Sequence, residues 1–137
     1  MIDVKSDTLL VGEVFVDFTL TELGAENKLR LGGIAHAARG FWALGVPFRA
    51  AVVLPEYLEG LTRGYLASLG CIDCHVVGYV RGAPNVTVIA EATEVADQGY
   101  DTLLREEKTV DLISVDFSGI TPNDVLIFPG SYDLQRI

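Results

Sequence analysis

Leu31–Gly45 reads LGGIAHAARGFWALG. Ile34, Ala37, Ala38, Phe41 and Leu44 recur there at helical spacing, giving the segment one apolar face to bury. The Gly32-Gly33 pair ahead of them lets a backbone bend, or approach a ligand closely, where a side chain would clash. A helix opened this way exposes first-turn N–H groups that a cap, a hydroxyl or an anion can occupy. Gly45 and then Pro47 end it. The stretch is therefore a core helix with a ligand-competent N-terminus, and by itself it names no ligand.

Upstream, Thr8–Val16 (TLLVGEVFV) carries one charge, Glu13, and predicts a central strand buried on both faces, with Asp17 at its C-terminal end. Phe18–Gly24 and Asn27–Leu31 are weaker extended segments. Downstream, Phe48–Leu54 predicts a second buried strand, and Pro55 fits the first turn of a helix. That helix places Leu58, Leu61, Tyr65, Leu66 and Leu69 on one side and stops at Gly70. Strand, helix, strand, helix, strand is the order of a mostly parallel sheet with crossover helices, an α/β fold. After Cys71 the pattern changes. Cys71–Val80 and Asn85–Val95 are extended segments joined by the turn Arg81-Gly82-Ala83-Pro84, and Asp97-Gln98-Gly99 forms another turn, so an antiparallel excursion is expected. The acidic stretch Glu91–Asp111 reads as a solvated face or loop. Asp124–Phe128 (DVLIF) predicts a last buried strand before Pro129-Gly130-Ser131-Tyr132. Only Asp133–Ile137 follow it, too few for a crossover helix, so residues 1–137 read as a single incomplete domain.

The chain has 137 residues, 10 Lys+Arg against 19 Asp+Glu and a net charge of -9. Its basic residues are scattered, which argues against nucleic acid and against an anionic membrane surface. No apolar run approaches the roughly 20 residues of a membrane span, and MIDVKSD is no signal peptide. A cytoplasmic protein is expected. Cys71 and Cys74 in CIDCH match the letters of a redox or haem-attachment motif. They follow a helix end and enter a strand, however, which is the reverse of a thioredoxin-like site, so two reduced strand cysteines are expected.

In open α/β sheets ligands gather at the C-terminal ends of strands, beside helix N-termini. Asp17 and Gly32-Gly33 converge there if the intervening segment loops out and returns. A carboxylate accepts from neighbouring hydroxyls, so the pair makes a polyol clamp; equally, Asp17 caps a turn and the glycines serve packing. His36, in the first helical turn, is a ligand donor or acceptor, or a structural histidine.

VGEVFVD (Val11–Asp17), then LGGIAHAARGFWALG, a strand, a helix ending in Leu-Gly, and extended segments crossing Ala83-Pro84-Asn85 resemble the N-terminal half of the ribokinase-like carbohydrate kinases, the PfkB family. The resemblance covers nearly the whole chain in order and spacing, and the opening Gly-Glu…Asp resembles the fructokinase-type branch. It implies a ribokinase-like (Rossmann-like) fold with an antiparallel β lid formed by residues 18–31 and 71–104. It also implies a sugar or polyol ligand held by Asp17, Gly32, Gly33, His36 and Asn85. His36 stands where the family usually has Asn, LPEYLEG (Leu54–Gly60) replaces the usual Gly-x-Asp-x-x-Gly, and Asn85 replaces a frequent Thr. The family's G-x-G-D, which carries the catalytic base, occurs nowhere in the chain, nor does a P-loop. ATP and Mg²⁺ are thus implied for a complete family member and not for this chain, which is expected to be inactive alone. The expectation is a sugar-binding kinase portion, completed by a missing C-terminal half or assembled as a homo-oligomer through its lid or the exposed sheet edge at DVLIF. A non-enzymatic polyol-binding or dimerisation module is the alternative. A Rossmann nucleotide binder lacks its G-x-G-x-x-G.

Overall fold

The computed structural model describes residues 8–20, 28–90, 100–102, 108–115 and 124–128. The turn expected at Asp97-Gln98-Gly99, most of the acidic stretch 91–111 and Pro129-Gly130-Ser131-Tyr132 lie outside the described residues. In chain order the elements are β1 (Thr8–Leu20), β2 (Lys28–Gly33), α1 (Ile34–Ala43), β3 (Phe48–Leu54), a 3-10 turn (Glu56–Leu58), α2 (Glu59–Ser68), β4 (Cys71–Arg81), β5 (Val86–Ala90), β6 (Tyr100–Thr102), β7 (Thr109–Leu112) and β8 (Asp124–Phe128).

At 13 residues, β1 extends about 43 Å, roughly twice the length of a common strand. It overruns its expected end at Val16 because each half finds its own partners. Leu9–Glu13 pairs in parallel with β3, and Thr8–Gly12 pairs in parallel with β8. Further along, Val14–Thr19 pairs antiparallel with β2, and Val16–Leu20 pairs in parallel with β5. One strand thereby belongs to two sheets. β4 continues the first sheet beside β3, with β7 antiparallel on its far side, while β6 lies antiparallel on β5 in the second.

The antiparallel excursion thus begins later than the sequence predicts. β4 stays in the parallel sheet because it is apolar on both faces: Val76 joins one core cluster, Val77 and Val80 the other. β3 alternates in the same way. Phe48, Ala50, Val52 and Leu54 meet the residues of α1 and α2, and Ala51 and Val53 face the opposite cluster. α1 buries Ile34, Ala35 and Ala38, whereas Leu44, beyond its last turn, is 79% exposed. α2 buries Thr62 and Leu66 but leaves Leu61 61% exposed. The buried face is shared by Leu58, Thr62, Leu66 and Leu69, and at 3.6 residues per turn Leu61 falls to the side of it.

β8 departs most from expectation. Its sequence predicts a buried strand, yet every residue is exposed, Val125 by 50% and Ile127 by 52%. Among the described residues it pairs with β1 alone. No helix among the described residues is long and apolar enough to cross a membrane.

Candidate functional site

Strand periodicity places Glu13, Phe15 and Asp17 on one face of β1. Asp17 is 5% exposed although it is an acid. Room for its carboxylate comes from Gly32, which stands opposite Phe15 in the β1–β2 register. A Cβ at Gly32 would collide with all three carboxylate atoms of Asp17. Gly33 then turns the chain into α1 at φ +62, and a Cβ there would strike the Glu13 carbonyl. Both glycines are therefore dictated by close approach. Gly32 and Gly33 end β2 instead of opening the helix, and the pair forms the hinge between them.

This hinge brings the first turn of α1 to Asp17. His36 Nε2 lies 2.8 Å from Asp17 Oδ2, with the imidazole 47% exposed and the Asp17 side chain 7% exposed. One turn on, Arg39 donates to His36 Nδ1, to the Leu31 carbonyl at 2.9 Å and to the Tyr65 hydroxyl at 3.2 Å. A hydroxyl-bearing ligand would meet here an anionic acceptor, an imidazole and a glycine backbone, the elements of a polyol clamp.

The other acid on that face is spent differently. Glu13 Oε2 accepts from Asn85 Nδ2 and from Lys108 Nζ, each at 3.0 Å, and the Lys108 ammonium sits 4.6 Å from the centre of the Phe15 ring. The Glu13 and Lys108 side chains are 1% and 5% exposed. Burial pushes the Lys108 ammonium below its ordinary pKa, and Glu13 opposes the shift. Asn85 is fully buried at a positive φ of 55, and its amide also donates to the Val14 carbonyl at 3.0 Å. Its own carbonyl accepts from Val16 N–H at 2.8 Å, which launches β5 alongside β1. The Asn85 Oδ1 has no hydrogen-bond partner among the described residues.

Of the residues singled out from the sequence, the fold brings Asp17, Gly32, Gly33 and His36 together. Asn85 instead joins Glu13, two steps back along the same strand face. Arg39, Glu13 and Lys108 were not singled out. A lone charge inside an apolar strand is the signal that could have found Glu13, since a buried carboxylate requires a buried partner. Nothing local marks Lys108, which comes from far along the chain.

Cys71 and Cys74 are free, partly buried and packed against the core cluster of α1 and α2. Burial, with the neighbouring Cys74 thiol, pushes the Cys71 thiol up to about 12, and burial raises Cys74 as well. Such thiols are poor nucleophiles at neutral pH. Among the described residues no group of three or more His, Cys, Asp or Glu side chains could hold a metal ion.

No protein-family model matches the chain, and no curated protein is significantly similar to it. Solved structures superpose on it in part. A ribokinase from Cryptococcus neoformans in complex with ADP superposes with a TM-score of 0.49 at 16% identity, over 90% of this chain and 41% of that one. A PfkB family carbohydrate kinase from Listeria grayi gives 0.41 at 18% identity, over 59% of this chain and 28% of that one. A PfkB protein from a Polaromonas species gives 0.41 at 16% identity, over 80% and 35%. The chain thus spans less than half the length of each of these structures.

Proposed function

We propose that this chain is the sugar-binding portion of a ribokinase-like, ATP-dependent carbohydrate kinase, with Asp17 as the acceptor for ligand hydroxyls and Gly32, Gly33 and His36 as the walls around it. The observation that carries the reading is the buried Asp17 carboxylate laid against the Cα of Gly32, a close approach that only glycine permits. Burying an acid costs stability unless it is hydrogen-bonded, and its main partner, His36, is half open to solvent. Asn85 acts from behind, holding Glu13 and the β1 backbone. The sequence resemblance to the PfkB family supplies the ligand class. Phosphoryl transfer is assigned to none of the described residues, because the G-x-G-D that would carry the base is absent from the sequence. ATP, Mg²⁺ and the base would come from a further segment or polypeptide.

Calorimetric titration with pentoses, hexoses and their polyols tests this directly. At least one should bind, and Asp17→Asn should weaken it about tenfold or more, since a hydrogen bond to a charged group contributes about 1.5–3 kcal/mol. The isolated chain should hydrolyse no ATP with any of them. Turnover that co-purifies with the chain and disappears in Asp17→Ala would overturn the division of labour.

The exposed apolar strand β8 favours a second reading, a non-enzymatic module that binds a polyol or dimerises through that edge. Light scattering beside the sugar titration tests it: a stable dimer that binds no sugar supports a dimerisation module over the kinase portion, and a monomer counts against dimerisation through that edge.

A further inference from the structure

His36 and Arg39 lie three residues apart on α1, so they share a face, and Arg39 is held from three sides. It donates to the Leu31 carbonyl at the end of β2, to the Tyr65 hydroxyl on α2 and to His36 Nδ1. A guanidinium has five N–H donors and no acceptor. Nδ1 must therefore offer its lone pair, which leaves the imidazole proton on Nε2. That proton points at Asp17 Oδ2, 2.8 Å away. Of the two carboxylate oxygens, Oδ2 is thus already engaged, and Oδ1 accepts no hydrogen bond from the described residues.

We infer that Arg39 and His36 are positioning residues for Asp17: Arg39 fixes His36 as the neutral Nε2–H tautomer, and that proton ties down Oδ2 so that Oδ1 is presented to a ligand hydroxyl. A histidine free to choose either tautomer would place a lone pair against the carboxylate part of the time and let it rotate. The residues that hydrogen-bond to a binding carboxylate set its geometry in the same way that the partner of a metal-ligating histidine's other nitrogen orients that ring. The tautomer assignment needs no ligand. Its consequence for binding rests on the sugar-site reading proposed above.

Nitrogen-15 histidine spectra of the intact chain at neutral pH test it, with His75→Gln used to assign the two histidines. The wild type should show His36 with a protonated Nε2 and a bare Nδ1. Arg39→Met should convert this into a mixture of tautomers, and Arg39→Lys, which restores a donor, should recover part of the original signature. A wild-type His36 protonated on Nδ1, or a tautomer ratio unmoved in Arg39→Met, would overturn the inference. If Arg39→Met fails to fold, Tyr65→Phe removes one of the anchors that hold the guanidinium and should shift the ratio in the same direction; no shift there counts against it. For any sugar that binds the wild type, Arg39→Met should weaken binding about three- to tenfold, with Asp17→Asn abolishing the difference. If no sugar binds at all, the functional proposal fails while the tautomer still decides this one.

Discussion

The two halves of β1 are one continuous strand with one side-chain rhythm, and they do different work. Thr8–Glu13 lies between parallel partners in the main sheet, and its acid, Glu13, is closed off against Lys108 and Asn85. Val14–Leu20 lies between β2 and β5, and its acid, Asp17, is paired with an imidazole that solvent can reach. Four residues along the same face separate a carboxylate satisfied entirely inside the protein from one with acceptor capacity to spare. The difference teaches that burial alone does not mark a binding group. What marks it is the state of its partners.

Three experiments break or sharpen that contrast, in descending order of effect. Lys108→Met leaves the Glu13 carboxylate buried without its cation and should cost about 3–5 kcal/mol in urea unfolding, while the double variant with Glu13→Gln recovers most of it. A loss no greater than that of a surface substitution would erase the distinction between the halves. Gly32→Ala acts on the other half: its methyl overlaps the Asp17 carboxylate, so about 1–3 kcal/mol of stability should go together with sugar binding. An unaltered affinity would show that the Asp17–Gly32 contact is packing only.

The smallest effect lies in β4, on the far side of β3 from β1. The folded-state pKa of Cys71 is raised from 9.0 to about 12. Its contribution to stability is therefore complete below pH 9 and is lost as pH rises toward 12, because the unfolded chain ionises first. Lys108 works in the opposite direction: its depressed pKa makes folding more favourable as pH rises from that value toward 10.5. Cys71→Ala should consequently hold its unfolding midpoint better than the wild type between neutral pH and pH 11. The same burial predicts slow thiol alkylation at pH 7 in the wild type.

Much of this was legible in the chain. The apolar run Phe48–Leu54 matches β3 residue for residue, the periodicity of Ile34–Phe41 locates α1, and both helices stop just before the glycines expected to stop them. Asp17, Gly32, Gly33 and His36 could be singled out because strand ends and helix starts are local features. Other features were not local. Whether DVLIF is buried depends on what packs against it, so its apolar letters could not announce a strand exposed along its whole length. Leu61 was misplaced because the face that packing selected runs through Leu58, Thr62, Leu66 and Leu69, to one side of it.

By itself, then, the sequence determined the alternation of strands and helices, an acid inside the first strand with another at its expected end, and a glycine pair ahead of α1, since these follow from side-chain periodicity and backbone freedom over a few residues. Only the tertiary structure decided that β1 would serve two sheets, that Lys108 would neutralise Glu13 from 95 residues away, and that Arg39 would hold His36 against Asp17. The physical reason is that a buried charge is stabilised by whatever partner the fold delivers to it, and that delivery is settled by pairing and packing across the whole chain.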